Sequence, residues 1–119
     1  MSETGFFGAP EHRVSRTRDG AAVVELLGEH DLAIKDQTEA LLSELVDNHD
    51  LVVVDVSETS FIDSSILETL VKAHQRAQAR GTKLRVQLGS VAVVQKMFEI
   101  SGLTNYFEVV AGREEALRR

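Results

Sequence analysis

Along this chain the apolar residues recur in two rhythms, and the switches between them outline the fold. Two strand-like stretches, Arg13-Val-Ser-Arg-Thr-Arg and Ala22-Val-Val-Glu-Leu-Leu, flank Asp19-Gly20, a dipeptide that accepts the positive dihedrals of a tight hairpin turn. An antiparallel pair is expected. Its second member is nearly all apolar and should lie deeper, while Arg13, Arg16 and Arg18 suit the first to an exposed edge. Next, Ile34, Thr38, Leu41, Leu42, Leu45 and Val46 fall at three- and four-residue spacing, one face of a helix ending near Asn48-His49. Leu51-Val-Val-Val-Asp-Val is a continuous β-branched run, too short for a buried helix and apolar on both faces. It predicts a central parallel strand. Beyond Asp63, the positions Ile66, Leu67, Leu70, Val71, His74 and Ala77 mark a second amphipathic helix that Arg80-Gly81 should stop.

A strand at Leu84-Arg-Val-Gln-Leu follows. Gly89-Ser90 then opens a third helix, with Ser90 as expected N-cap, Val91, Val94, Met97 and Phe98 on its buried side, and Ser101-Gly102 closing it. A short strand, Tyr106-Phe-Glu-Val-Val, and a terminal helical turn, Arg113-Glu-Glu-Ala-Leu, complete the pattern. Strands alternating with helices at these intervals imply right-handed crossovers and an α/β fold with a mixed sheet. Residues 1–11 lack periodicity and read as a flexible leader, leaving 12–119 as one domain.

Composition narrows the function. A chain of 119 residues, 43% hydrophobic and 27% charged, suits one globular domain with an ordinary apolar core. Zero cysteines exclude a thiol nucleophile, a thiolate metal site and disulfides, and they sit most easily with a reducing cytoplasm. No apolar run approaches the ~20 residues of a membrane span, and the N-terminus lacks the order of a signal peptide, so no membrane partner is expected. Thirteen Lys plus Arg against nineteen Asp plus Glu give a charge of -6, which opposes a sequence-independent grip on nucleic acid. The six aromatics, Phe6, Phe7, Phe61, Phe98, Tyr106 and Phe107, are not interleaved with arginines as a base-stacking platform would be.

Candidate chemistry concentrates in Ser57-Glu-Thr-Ser-Phe-Ile-Asp-Ser-Ser-Ile-Leu, read as a polar loop joining the central strand to the second helix. The C-terminal ends of parallel strands and the helix N-termini that follow them favour anionic ligands. Asp63 or Ser64 is the expected N-cap, with Ser65 in the first turn; a plain cap with no further role is the competing reading. A hydrolase triad from Ser64 or Ser65, His30 or His74, and Asp31 or Asp63 is a coincidence of composition, since the serines lie in no G-x-S-x-G elbow. No histidine pair has ligand spacing, neither standard nucleotide cradle is present, and no cofactor is expected. Gly28 and Gly102 read as a strand-end turn and a helix C-cap.

Four stretches together resemble the STAS domain, the fold shared by bacterial anti-sigma factor antagonists and the cytoplasmic tails of sulphate transporters. They are Leu27-Gly28-Glu29-His30-Asp31-Leu32, Val54-Asp55-Val56-Ser57 through Phe61-Ile62-Asp63-Ser64-Ser65, Ser90 to Val94, and Phe98-Glu-Ile-Ser-Gly-Leu103. The resemblance runs from about Arg13 to Leu117 and is nearest to the stand-alone antagonists. It implies a mixed sheet of four to five strands covered by three to four helices. It also implies a partner-switching role: the unmodified antagonist binds an anti-sigma factor that is a serine kinase, is released by phosphorylation, and is reset by a serine phosphatase. The position matching the phosphorylated hydroxyl is Ser65, with Ser64 as second choice. Glu29, Asp31, Asp63, Ser64, Ile66 and Glu68 are the expected partner-facing residues, and the chain is then a substrate, not an enzyme. One position departs from the family: antagonists carry glycine directly after the phosphorylated serine, where this chain has Ile66. The alternative is a STAS module that binds partners without phosphorylation, as a stress-complex scaffold or a transport-complex subunit.

Overall fold

A computed structural model describes residues 10–119 of the chain. The expected hairpin is present: β1 (Glu11–Arg16) pairs antiparallel with β2 (Ala21–His30). Its turn is wider than Asp19-Gly20 alone. The Thr17 backbone amide donates to the Ala21 carbonyl (2.9 Å), and the Thr17 hydroxyl accepts from the Ala21 amide (3.0 Å). That closure ends β1 at Arg16 and puts Arg18 in the turn rather than the strand. β1 begins at Glu11, inside the stretch expected as leader; Phe6 and Phe7 lie outside the described residues.

A 3-10 turn (Leu32–Ile34) leads into α1 (Lys35–Asn48), which buries Thr38, Leu42, Leu45 and Val46 as its periodicity predicts. β3 (Leu51–Asp55) is buried at every position, as a strand with a neighbour on either edge and cover on both faces must be. After it the polar segment is not all loop, because Thr59–Ile62 forms β4. α2 (Ser64–Arg80) is capped by Asp63 and stopped by Gly81, whose φ of +76° is the left-handed conformation that glycine adopts without strain. β5 (Lys83–Gln87), α3 (Ala92–Ile100), β6 (Glu108–Val110) and α4 (Arg113–Leu117) complete the chain. Ser90 is not the cap of α3. Val91 holds that position without a side-chain bond, and the Gln95 side-chain Nε2 donates back to the Gly89 carbonyl (2.7 Å) instead.

The strand order is β1-β2-β3-β5-β6, with β4 also on β2. All pairs but β1–β2 are parallel. The described sheet thus has six strands, one more than expected; the extra one is β4, whose four residues are too polar and too few to stand out in the sequence. α1, α2 and α3 cover one face, burying Ala22, Val24, Leu26, Val52, Val54 and Val56 in the main core. On the other face α4 closes a small cluster of Val23, Val53, Val110 and Ala116. Arg113 of α4 also binds Asp55 and Gln87 (2.9 Å), giving the Asp55 carboxylate, 4% exposed, a cationic partner.

Candidate functional site

β2 outruns β3. Past Glu25, which pairs with Asp55 at the end of β3, its pairing shifts register between Gly28 and Glu29, with Ser60 as the extra residue on the β4 side, and Gly28 has a φ of +82°. Gly28 is therefore inside the strand, not at its end as expected. The space β3 leaves along β2 is filled by β4: Gly28 pairs with Thr59, Glu29 with Phe61 and His30 with Ile62. The Thr59 hydroxyl anchors the new strand by donating to the Leu26 carbonyl. Where β4 stops, the Asp63 amide donates to the His30 carbonyl (3.2 Å), and α2 begins.

Asp63 is the knot of the site. One carboxylate oxygen accepts from the Ser65 amide (3.0 Å), the Ser65 hydroxyl (2.6 Å) and the Ile66 amide (3.2 Å). The other accepts from the Leu32 amide (3.1 Å), tying the turn after β2 to the start of α2. Burial pushes the Asp63 carboxyl up, but the Ser65 hydroxyl and the amides of Ile66, Leu32 and Ser65 outweigh it and hold the group below its ordinary value. Asp31 caps the 3-10 turn in the same manner, accepting from the Ala33 amide (2.9 Å). Each of the two acidic residues fixes the start of one helical segment, and Asp63 joins them.

The expected site residues divide accordingly. Asp31, Asp63, Ser64 and Ser65 come together at the C-terminal end of the sheet, with Ser64 exposed and Ser65 half-buried on the first turn of α2. Glu68 is exposed one turn further along and lines an apolar groove of about 360 Å3 with Ser64, Leu67, Val71, Lys72, Ser101 and Leu103. Glu29 is exposed opposite Phe61, on the sheet face away from α1 to α3. Ile66 is a correction. It is fully buried in the main core, so its side chain neither faces a partner nor stands where a kinase approaches.

Two exposed apolar residues escaped the sequence reading, Leu32 (68%) and Phe61 (41%). Neither was legible: β4 buries Thr59 and Ile62 but exposes both Ser60 and Phe61, so it lacks the strict alternation that would have marked Phe61 as outward, and Leu32 gives no signal. Beneath the site, His30 is fully buried with its Nε2 2.9 Å from the Leu27 carbonyl and its ring 5.2 Å from that of His12. Burial pushes both imidazoles below their ordinary value. His74 instead packs against Tyr106 (4.7 Å) and Phe107 (5.5 Å). The Ser65 hydroxyl is bound to the carboxylate that caps α2 and the His30 Nε2 to a carbonyl of its own strand, so the two are not bonded to each other as a nucleophile with its base.

What the arrangement offers is a half-buried hydroxyl held by one carboxylate at a helix start, at the C-terminal end of the sheet. A family model described as the STAS domain matches residues 12–116. Among solved structures, the chain is similar to the anti-sigma factor antagonist SpoIIAA in its unphosphorylated form, with a TM-score of 0.77 and 23% identity over 90% of this chain and 93% of that one. An anti-sigma factor antagonist from Mycobacterium paratuberculosis gives 0.77 and 22% over 92% of each chain. The phosphorylated form of SpoIIAA, a Bacillus cell fate determinant, gives 0.70 and 22% over 90% and 96%. At such identities these likenesses establish the fold. No curated protein matches the sequence.

Proposed function

This chain belongs to the STAS domain family, and from that premise we propose that it is an anti-sigma factor antagonist, bound by an anti-sigma factor with serine kinase activity and released when Ser65 is phosphorylated. A serine phosphatase resets the switch, and sigma-factor-dependent transcription is the output. The exchange takes place in the cytoplasm, and the chain is the substrate of both enzymes rather than an enzyme. The observation that carries the reading is the position of Ser65: half-buried on the first turn of α2, with its hydroxyl 2.6 Å from Asp63 and Ser64 exposed beside it.

A phosphate there adds about -1.5 to -2 charges at neutral pH. A helix N-terminus attracts an anion, but the amides of Ser65 and Ile66 are already engaged by Asp63, so the new charge meets a carboxylate first. It also lies on the surface formed with Asp31 and Ser64, and flanked by Glu29 and Glu68. Like charges brought together when a partner docks cost several kcal/mol, and each ~1.4 kcal/mol weakens a complex tenfold. The fold itself rests on the core of α1, α2 and the sheet, which the phosphate does not enter.

A second reading, a STAS module that binds a scaffold or transport complex without phosphorylation, fits the same hydrogen bond, because a hydroxyl and carboxylate that together cap α2 need no further role. Titration calorimetry with the purified anti-sigma partner separates the two. The switch predicts that Ser65→Ala binds like wild type and Ser65→Asp at least tenfold more weakly. Equal affinity for all three counts against it and favours the second reading.

A further inference from the structure

Apolar surface adjoins the Ser64-Ser65 pair in two places. On α2, Ser64, Leu67, Glu68, Val71 and Lys72 recur at three- and four-residue spacing and make one wall of the groove of about 360 Å3 that Leu103 helps to close. Ser65, turned about 100° from Ser64 around the helix, does not line that groove and bonds Asp63 instead. Asp63 leads to the second place. Leu32, 68% exposed, donates its amide to Asp63, and Phe61, 41% exposed, stands two positions before Asp63 and pairs with Glu29.

The open charges around these surfaces are of one sign. Among the described residues no cation lies within salt-bridge distance of Glu29, Asp31 or Glu68, while Lys35 of α1 and Lys72 of α2 are both held by Glu39 (3.5 and 3.8 Å). An interface of standard size covers about 800 Å2 of each partner, a disc roughly 16 Å in radius. Centred on Ser65, that disc takes in both apolar surfaces. The far end of the groove wall, Lys72, is about 10 Å along the helix. Phe61, four residues back, is at most about 14 Å away, and Leu32 is joined to the same carboxylate as Ser65.

We propose that the partner docks across the end of the sheet with Ser65 at the centre of its footprint, gripping Leu32 and Phe61 on one side and laying an apolar ridge into the α2 groove on the other. Cationic side chains beside that ridge meet Glu29, Asp31 and Glu68. The inference rests on the proposed function, whose anti-sigma factor is the occupant, and it names the residues that hold that protein. Desolvated apolar anchors supply affinity, and complementary charge supplies orientation and speed of encounter. The placement also gives the phosphate its leverage. The centre of a footprint is where water is most fully excluded, so a charge added at Ser65 is buried on docking instead of staying solvated at the rim.

The test is titration calorimetry of the purified anti-sigma factor of the same organism against the full chain and its Leu32→Ser, Phe61→Ser and Glu68→Lys variants. All three side chains are exposed, so unchanged thermal melts should show that the variants fold. The proposal predicts that each variant binds at least tenfold more weakly. The loss in Glu68→Lys should shrink in 0.5 M salt, whereas the losses in the two apolar variants should persist. Wild-type affinity in any of the three overturns the proposal, even where Ser65→Asp is released and the switch stands. Apolar variants that lose binding while Ser65→Asp keeps it would support this surface and count against the switch. A wild-type chain with no measurable affinity for the anti-sigma factor overturns both.

Discussion

Replacing Asp63 by alanine removes four hydrogen bonds at once, and the structure allows their loss to be sized. The cap of α2 accounts for about 1 to 2 kcal/mol, the usual cost of changing Asp at an N-cap to Ala. The bond to the Leu32 amide is separate from the cap, and adds about 1 kcal/mol as a further hydrogen bond of a half-exposed group. Together they predict a loss of roughly 2 to 3 kcal/mol from a total of about 5 to 15 for an ordinary domain, so the variant folds but unfolds at lower urea. Asp63→Asn keeps a good cap and loses only the charge, and should cost under about 1 kcal/mol. The direction of the pKa shift sets the pH window. The folded-state carboxyl lies below its ordinary value, so its ionised form stabilises the fold above about pH 4 and that contribution disappears as pH falls through the folded value. Urea midpoints read by circular dichroism at pH 7 and at pH 3 test this. Wild type and Asp63→Asn should converge in acid while Asp63→Ala stays below both. An alanine variant within 0.5 kcal/mol of wild type at pH 7, with unchanged urea dependence, would refute the role assigned to this carboxylate.

Ile66→Gly, which restores the residue usual in the antagonists, should destabilise by at least about 3 kcal/mol in urea unfolding, because it empties a fully buried core position and adds a helix glycine. Ile66→Val should lose only about 0.5 to 1.5 kcal/mol. Gly89→Ala should be worse than Gly81→Ala in the same assay. Both have positive φ, but a Cβ at 89 meets the Ser57 Cα at 2.6 Å whereas at 81 it meets open space. His12 and His30 are held below their ordinary value by burial, so stability from the neutral rings is complete above about pH 6.5 and lost as pH falls through the lowered folded values. Thermal melts from pH 7.5 downward should show this decline, and His30→Gln should flatten it; a melting temperature rising below pH 6.5 would contradict the assignment.

Elements whose own periodicity matches their burial were legible in the sequence. The β-branched run of β3 and the three- and four-residue spacing of α2 each satisfy a local rule that the tertiary structure does not override. β4 was not legible, because Thr59-Ser60-Phe61-Ile62 becomes a strand only through the space that β3 leaves along β2, a fact of topology and not of composition. The helix starts show the same division. Asp63 caps α2 as its residue type predicts, whereas Ser90 is passed over and Val91 begins α3 with no side-chain bond. Ile66 is the instructive case for the site. Its spacing with Leu67, Leu70 and Ala77 already placed it on the buried face, and only the family pattern, with glycine at that position, drew it to the surface. Ser65 and Asp63 could be named from the sequence, but the bond from Asp63 to the Leu32 amide joins residues 31 positions apart and has no local signature.

Phosphosite mapping tests the central claim most directly. The purified chain is incubated with Mg-ATP and a soluble lysate of its own organism, alongside a Ser65→Ala control, and the modified positions are read by mass spectrometry. The account predicts one phosphate, on Ser65, that vanishes in the control. A chain that captures its partner from the same lysate yet carries no phosphate on Ser64 or Ser65 would contradict the switch and leave a constitutive STAS binding module in its place.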